Sequence, residues 1–208
     1  KSSMPTYESF TFTAKADAHR GKDGAIHVRR FLGAEVAGLT ACPCAQEMLK
    51  DTTSRSLMQR FGLSRRKAKQ LLEAIPVATH IQRGHGSIFM EIPHGAEIDV
   101  THLVDVIEKS MSSATYGLLK RSDEATLVED AARHPRFVED CIRGMIADIY
   151  NTFSDLPGSI MITFRQRNEE SIHKHDIVAE RSLTMDEIRA QMTHNMKQRP
   201  KKSDARRR

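Results

Sequence analysis

The stretch that most constrains this chain is Gly38–Glu47, in which two of the three cysteines flank a proline. Pro43 holds its own φ at roughly −65° and disfavours helical geometry at the preceding Cys42. The apolar residues before Cys42 therefore predict a strand, and Ala45–Leu49 predicts a helix. A thiol between a strand end and a helix N-terminus is well placed to bind a metal or to react.

The cysteine spacing leaves the kind of site open. Cys-x-Cys is not a zinc-finger spacing, and no second Cys-x-x-Cys completes one. The odd number of cysteines and the closeness of two of them predict reduced thiols in a cytosolic protein. No window approaches the roughly 18 apolar residues of a membrane helix, and no segment resembles a signal peptide. We therefore expect no membrane partner.

The positive charge is concentrated at the end of the chain. The 208 residues have a net charge of +5, and Lys197–Arg208 contains seven Lys or Arg and one Asp. This tail accounts for +6, which leaves −1 for the rest. A near-neutral body without Trp is not typical of nucleic-acid binding, so nucleic acid is not an expected partner. We expect the tail to be disordered, and an RNA-binding module that uses it is the alternative.

Local patterns predict a series of strands and helices. In chain order they are strand Tyr7–Ala14, a turn at Gly21–Gly24, strand Ile26–Leu39 with a bulge near Gly33, a helix after Cys44 that ends at Gly62, a helix from N-cap Ser64 to Pro76, extended Val77–Gln82, a flexible turn at Arg83–Gly86, strand Ser87–Ile92, helices capped by Thr101 and Ser122, a helix from Pro135 to Phe153, strands Gly158–Phe164 and Ile172–Ala179, and a helix near Met185–Met196. This order predicts an α+β module over residues 1–184, an antiparallel sheet with helices on one face. A C-terminal helix and the basic tail follow over residues 185–208.

Several side chains can bind a metal or move protons. They are Cys42, Cys44, His80, Glu124, Glu139, Glu170, His173 and His175. One thiolate, one imidazole and one carboxylate suffice for an open catalytic site on a divalent metal. Each residue also has a structural explanation, because a lone thiol is usually a small core residue and Glu124 favours the start of its helix. A closed structural metal site is a further alternative.

A resemblance favours the catalytic interpretation. The motifs that carry it are Cys42–Glu47, Thr79–Arg83, Tyr116–Glu124, Phe137–Asp140 and Glu170–His175. Together they resemble the GTP cyclohydrolases of type IB, and the Cys-Pro-Cys-Ala sequence favours the archaeal methanopterin-pathway branch. The resemblance implies the tunnelling fold, assembled as a homodimer or homotetramer. Members of this family are usually longer, so it also implies that most of an N-terminal module is missing here.

The resemblance also implies a role for individual residues. Cys42, His80 and Glu124 match the metal ligands of the family. Glu139 matches its acid/base carboxylate, His173 matches a proton-relay histidine, and Cys44 matches the second cysteine near the purine. Glu170 matches the residue that anchors guanine, and Lys120 and Arg121 match phosphate partners. The implied metal is iron(II), with zinc or manganese as alternatives. The implied reaction opens the guanine ring of GTP at C8, releases formate and forms a 7,8-dihydroneopterin phosphate, expected as the 2′,3′-cyclic phosphate, for tetrahydromethanopterin or folate-type pterins. A non-catalytic or incomplete pterin- or purine-binding protein is the alternative.

Overall fold

The computed structural model describes residues 9–198. Six strands and six helices make up this part of the chain. They are β1 (Phe10–Arg20), β2 (Ile26–Ala41), α1 (Pro43–Phe61), α2 (Arg65–Ala74), β3 (Ile81–Ile92), α3 (Val100–Ser110), β4 (Ser113–Ala114), α4 (Arg121–Arg133), α5 (Val138–Thr152), β5 (Met161–Glu169), β6 (Ile177–Thr184) and α6 (Met185–Gln198). The predicted basic tail lies mostly outside the described residues.

The strands form one antiparallel sheet in the order β1-β2-β3-β5-β6, and the short β4 pairs with β2. Residues alternate along β3 and β5 so that Ile88, Met90, Ile162 and Phe164 are buried. This alternation is typical of a sheet with one covered face. The α+β class and the antiparallel sheet expected from the sequence are therefore confirmed, in an arrangement consistent with the tunnelling fold.

Helices α3 and α5 supply most of the cover. Their apolar side chains recur at helical spacing and are almost fully buried against the sheet. They include Leu103, Val106, Ile107, Cys141, Ile142, Met145, Ile146 and Ile149. The start of α6 belongs to the same core, because Met185 and Ile188 are fully buried within it. No helix within residues 9–198 has the length and apolar character needed to cross a membrane.

Two expectations for the first strands are wrong. Strand β1 continues to Arg20, beyond the predicted end at Ala14, because its polar second half pairs with the start of β2. The register of β2 runs through Gly33 without a bulge. A Cβ on Gly33 would lie 2.8 Å from the Phe89 ring, so this glycine serves the close approach of two strands. The predicted start at Tyr7 lies outside the described residues.

The predicted turn at Arg83–Gly86 is also wrong, because β3 is one continuous strand from Ile81 to Ile92. Its two glycines provide space beneath side chains of other elements. A Cβ on Gly84 would meet Gln166 Nε2 at 2.5 Å, and one on Gly86 would meet Ile107 at the same distance. These glycines therefore allow close packing within the sheet. In the sequence alone, the same glycines resemble those of a turn.

The helix starts differ from the predicted ones by a few residues. Asp99 caps α3 by accepting the Thr101 N–H, so Thr101 is not the cap. Helix α4 has Lys120 as its N-cap, which leaves the predicted cap Ser122 inside the first turn. Helix α5 begins at Val138, so Pro135 precedes the helix. The αL residue Gly62 ends α1 and Ser64 caps α2, as predicted.

The last two strands are displaced from their predicted positions. The structure has β5 at Met161–Glu169 and β6 at Ile177–Thr184, in place of Gly158–Phe164 and Ile172–Ala179. The polar residues of β5 misled the prediction, because Gln166 and Asn168 are buried despite their polarity. As a consequence Glu170 follows the end of β5, and His173 lies in the connection to β6.

Candidate functional site

Cys42 lies where the sequence places it, between a strand and a helix. Strand β2 ends at Ala41, and Cys42 is the N-cap of α1 with extended geometry (φ −72°, ψ 116°). Pro43 occupies the first position of the helix, where its missing N–H has no consequence. Cys42 is half-buried, Cys44 is exposed, and both thiols are free.

Sheet register brings His80 to Cys42. The last β2–β3 pair is Ala41 opposite Ile81, so the flanking residues Cys42 and His80 face each other. The Cys42 N–H donates to the His80 carbonyl at 3.2 Å. The Thr79 hydroxyl donates to the Cys42 carbonyl at 3.0 Å. These two hydrogen bonds hold Cys42 against the segment that contains Thr79 and His80.

The next strand adds Glu170 to the same place. Its predecessor Glu169 pairs with Arg83 across β3 and β5, which puts Glu170 beside Gln82. Gln82 Nε2 donates to Glu170 Oε1 at 3.0 Å. His80 Nε2 lies 3.8 Å from Glu170 Oε2, and the two side chains are only 13% and 6% exposed. The buried carboxylate is therefore flanked on one oxygen by an amide and on the other by an imidazole.

These side chains line a cavity of about 510 Å³. Five of the nine predicted site residues contribute to its wall, namely Cys42, His80, Glu139, Glu170 and His173. The start of α5 also lines this cavity and supplies Glu139. A backbone hydrogen bond from Arg136 to the Ala41 carbonyl (3.0 Å) ties the segment before α5 to the end of β2. Residues from four distant parts of the sequence therefore meet in one concave site.

The other four predicted residues do not line the cavity. Cys44 lies on the exposed side of α1, and Lys120, Arg121 and Glu124 are exposed at the start of α4. The local contacts of this start are internal to the helix, because the Glu124 N–H donates to the Lys120 carbonyl at 3.0 Å. Within residues 9–198 no group of three or more His, Cys, Asp or Glu side chains could hold a metal ion.

A metal would therefore find only part of its ligand set in one chain. The Cys42 thiol and the His80 imidazole are chemically suited to iron(II), zinc or manganese, and they lie at one wall of the cavity. The third predicted ligand, Glu124, is not beside them. The chain thus presents two of the three predicted donors together.

Four polar residues of the cavity were not predicted as site residues. They are Gln82, Arg136, Arg143 and Asn168. Gln82 was recognisable in principle, since it lies two residues after His80 on a strand and so shares its face. The two arginines had no sequence signal, because their place depends on how the segment before α5 folds back onto β2.

The neighbouring residues Asp140 and Cys141 on α5 have pKa values that are shifted in opposite directions. The pKa of Asp140 is lowered: burial would raise it, but hydrogen bonds from the Phe137 N–H (2.9 Å) and the Arg143 guanidinium (2.5 Å) outweigh burial. Burial raises the pKa of the Cys141 thiol to about 12. Cys141 therefore remains a protonated core residue, which leaves Cys42 and Cys44 as the thiols available for chemistry.

A larger cavity of about 630 Å³ lies between α1, α2 and the end of α4. Its wall mixes cations with carboxylates, and it includes the Lys69–Glu73 pair at 3.8 Å. None of the predicted site residues lines it. The predicted site residues that line a cavity therefore all line the smaller of these two.

Comparison with known proteins agrees with the residue pattern. The model of a family described as "Type I GTP cyclohydrolase folE2" matches residues 1–179. The chain is 44% identical over 179 residues to the GTP cyclohydrolase MptA of Methanococcus maripaludis (strain C6), an alignment that covers 86% of this chain and 56% of that protein. Corresponding proteins of Methanococcus aeolicus and Methanosarcina mazei are 45% identical over 177 residues and 43% identical over 182 residues. These alignments cover 84% and 86% of this chain and 57% of each relative. The chain thus spans a little over half the length of the curated relatives it matches.

Proposed function

The chain belongs to the type I GTP cyclohydrolase family, and from this premise we propose that it carries the catalytic site of a GTP cyclohydrolase. The reaction opens the imidazole ring of guanine at C8, releases formate and yields a 7,8-dihydroneopterin phosphate for methanopterin-type pterin biosynthesis. One observation carries the proposal: Cys42, His80, Glu139, Glu170 and His173, taken from four separate motifs, line one cavity.

Glu170 recognises the guanine edge. Guanine presents an N1–H and a 2-amino group, both donors, and a carboxylate can accept one hydrogen bond from each. A buried carboxylate left without these donors pays a large desolvation cost, so the site favours guanine over purines that lack the amine. The low exposure of Glu170 and its place in the cavity support this role.

Glu139 and His173 move protons during ring opening. Attack at C8 and cleavage of the C8–N bond require a proton to reach a ring nitrogen, which a positioned carboxyl or imidazole provides. Glu139 is exposed at the start of α5 and His173 lies in the β5–β6 connection, so both reach the cavity from its solvent side. Cys44 is assigned a place near the purine, although it lies outside the cavity wall of the single chain.

GTP cyclohydrolases of this family are generally metal-dependent. Cys42 and His80 would hold the ion with Glu124, and the mixed S/N/O set favours iron(II), with zinc or manganese as alternatives. When bound, the metal would supply Lewis-acid activation of water for attack at C8. Lys120 and Arg121, next to Glu124 in the chain, would bind the triphosphate.

Self-association would bring the start of α4 to a cavity. We propose a homodimer or homotetramer, and exposed apolar side chains on the β1–β2 hairpin support it. Phe12 is 61% exposed and Val28 is 55% exposed. Such a hairpin is a ready surface for pairing with a second copy.

An anaerobic incubation with GTP tests the function. Chain reconstituted with iron(II) should release formate and, after oxidation, a fluorescent pterin. Chain carrying Glu170→Gln should release neither at the same GTP concentration. If the wild-type chain binds GTP without releasing formate, it is an incomplete purine-binding protein, and the proposal is wrong.

Phosphorus NMR of the product identifies the branch of the pathway. We propose the 2′,3′-cyclic phosphate, because the matched relatives include methanogen MptA proteins. Free pyrophosphate with a cyclic-phosphate resonance is the expected result. An intact triphosphate chain on the pterin would contradict it.

A further inference from the structure

Gln82 is a buried amide whose only side-chain hydrogen bond within residues 9–198 goes to Glu170. It lies on β3 two residues after His80, is 6% exposed and contributes to the cavity wall. Its Nε2 donates to Glu170 Oε1 at 3.0 Å. No role was assigned to it by the motif pattern.

The chemistry of the pair determines which way the amide points. A carboxylate has only acceptors, so the NH₂ group of Gln82 must face Glu170 and the amide oxygen must face away. That oxygen, Oε1, is buried and has no hydrogen-bond partner among the described residues. An unpaired buried acceptor is destabilising, and an apolar side chain at this position would avoid it. The benefit of a glutamine here therefore lies at its NH₂ end, on Glu170.

The contact leaves Glu170 free to bind a ligand. A carboxylate offers about four lone-pair positions, and Gln82 occupies one of them. The His80 ring, 3.8 Å from Oε2, limits rotation on the other side. Without the amide, the Glu170 side chain could turn about its last torsion, which is broad for an sp³–sp² bond. Gln82 thus fixes the plane in which the remaining lone pairs point.

We propose that Gln82 is a positioning residue that sets the preference of this site for guanine over hypoxanthine nucleotides. The proposal rests on the proposed function, since it acts through Glu170 as the guanine anchor. Two parallel hydrogen bonds, from N1–H and the 2-amino group, require the carboxylate to lie in the plane of the purine. A carboxylate that rotates out of this plane can still accept one of these two hydrogen bonds, but it accepts both less easily.

The experiment compares GTP with inosine triphosphate, which lacks the 2-amino group. Dissociation constants for both are measured by titration calorimetry on the full chain, with wild type, Gln82→Met and Gln82→Leu. Methionine has similar length without a donor, and leucine is a smaller apolar side chain that also has no donor. Thr40→Val is the matched control, because Thr40 pairs with Gln82 across β2–β3, is fully buried and also has an unpaired oxygen.

We expect the wild type to bind GTP more tightly than inosine triphosphate. Gln82→Met should weaken GTP binding by about tenfold, the effect of roughly one hydrogen bond to a charged group, and the analogue by about threefold or less. The ratio of the two dissociation constants therefore falls. Thr40→Val should leave this ratio unchanged, even if it lowers the melting temperature.

If Gln82→Met weakens the binding of both nucleotides equally, the ratio of the two dissociation constants is unchanged. This result would overturn the inference while the proposed function stands. Gln82→Leu decides the same question if the methionine variant fails to fold. A wild-type chain that binds the two nucleotides equally would overturn both the inference and the role of Glu170. The separate formate assay then shows whether the enzymatic function itself survives.

Discussion

Two regions carry six of the nine predicted site residues, and the two regions are positioned differently in the structure. Around the ends of β2, β3 and β5, Cys42, His80 and Glu170 line one cavity. At the start of α4, Lys120, Arg121 and Glu124 are exposed and outside the cavity wall. We call these the strand-end region and the α4 start.

The difference follows from what holds each region. In the strand-end region, the register of the antiparallel strands fixes the relative positions of the site residues, because Ala41 pairs with Ile81 and Arg83 pairs with Glu169. Helix α4 is held at its other end, where Ala131 and Ala132 are its only buried residues. Gln46 Nε2 donates to the Ala132 carbonyl at 2.5 Å, which fixes that end further.

The comparison teaches that strand register brings Cys42, His80 and Glu170 to one cavity, whereas the predicted ligand Glu124 does not line that cavity in the single chain. Residues positioned by sheet register are preorganised before any ligand binds. Residues on a helix start that follows the loop at 115–120 depend on what packs against them. If self-association supplies that packing, metal binding by Glu124 and phosphate binding by Lys120 and Arg121 would require the assembled protein.

The largest effect should come from the acid/base group. Glu139→Gln keeps the size of the side chain and removes its ability to transfer a proton, so turnover of GTP should fall by about 10²–10⁴-fold. GTP affinity should stay within a few fold of wild type. Initial rates of formate release and equilibrium GTP binding measure the two quantities separately.

Asp148→Asn is the matched control for this variant. Asp148 lies on the same helix but does not line the cavity. Its turnover should equal that of the wild type. Near-normal turnover in Glu139→Gln would remove Glu139 from the mechanism.

Metal content tests whether the two regions form one site. Cys42→Ala and His80→Ala should lower metal affinity by about 10²-fold or more, since even a residue that only orients a ligand contributes 10–100-fold. Cys44→Ser, two residues away and exposed, should retain the metal. Metal per chain after desalting, measured by mass spectrometry, gives the comparison directly.

Glu124→Gln is the informative variant in this series. If the α4 start reaches the cavity in the assembled protein, this variant should lose metal as the Cys42 variant does. Full metal content in Glu124→Gln would exclude the α4 start from the ligand set. Unchanged metal in both Cys42→Ala and His80→Ala would contradict the ligand assignment as a whole.

The two regions also differ in how far the sequence could predict them. Cys42 was placed correctly because Pro43 dictates the local geometry on both sides. The meeting of Cys42 with Glu170 could not be derived from local pattern, because it depends on strand register across β2, β3 and β5. Gly84 and Gly86 were taken for a turn, since nothing in one sequence shows that Ile107 and Gln166 pack where their Cβ atoms would be. The proposed role of each site residue rests on the family resemblance, whereas the proximity of these residues became visible only in the folded structure.

A smaller effect distinguishes the helix starts themselves. Asp140 and Asp123 occupy the third position of α5 and α4, and each accepts the N-cap backbone N–H, at 2.9 Å and 3.2 Å respectively. Asp140 also binds Arg143 and is only 29% exposed. Asp140→Ala should lower the free energy of unfolding by about 1–2 kcal/mol at pH 7, and Asp123→Ala by about 0.5 kcal/mol or less.

The pH dependence of the Asp140 effect has a definite sign. Because the pKa of Asp140 is lowered in the folded protein, its contribution is complete above the ordinary aspartate range near pH 4 and is lost as pH falls through the lowered folded value. Urea unfolding at pH 7 and at about pH 2.5 should therefore show the Asp140→Ala deficit shrinking in acid. A deficit that stays constant would show that lost packing, and not the carboxylate, is responsible.

The smallest expected effect concerns the largest concentration of charge. Deleting Lys197–Arg208 removes a net charge of +6, yet GTP turnover and the KM for GTP should stay within about twofold of wild type. The segment has no apolar side chain larger than those of Pro200 and Ala205 to anchor it in a site, and charges in solvent are screened over about 8 Å at physiological salt. By contrast, Lys120→Ala combined with Arg121→Ala removes only two charges and should raise the KM by about tenfold, because these charges are proposed to touch the triphosphate. Steady-state kinetics at low and physiological salt separate the cases: a tail deletion that raises the KM at both would show that the tail, and not the α4 start, completes the phosphate side of the site.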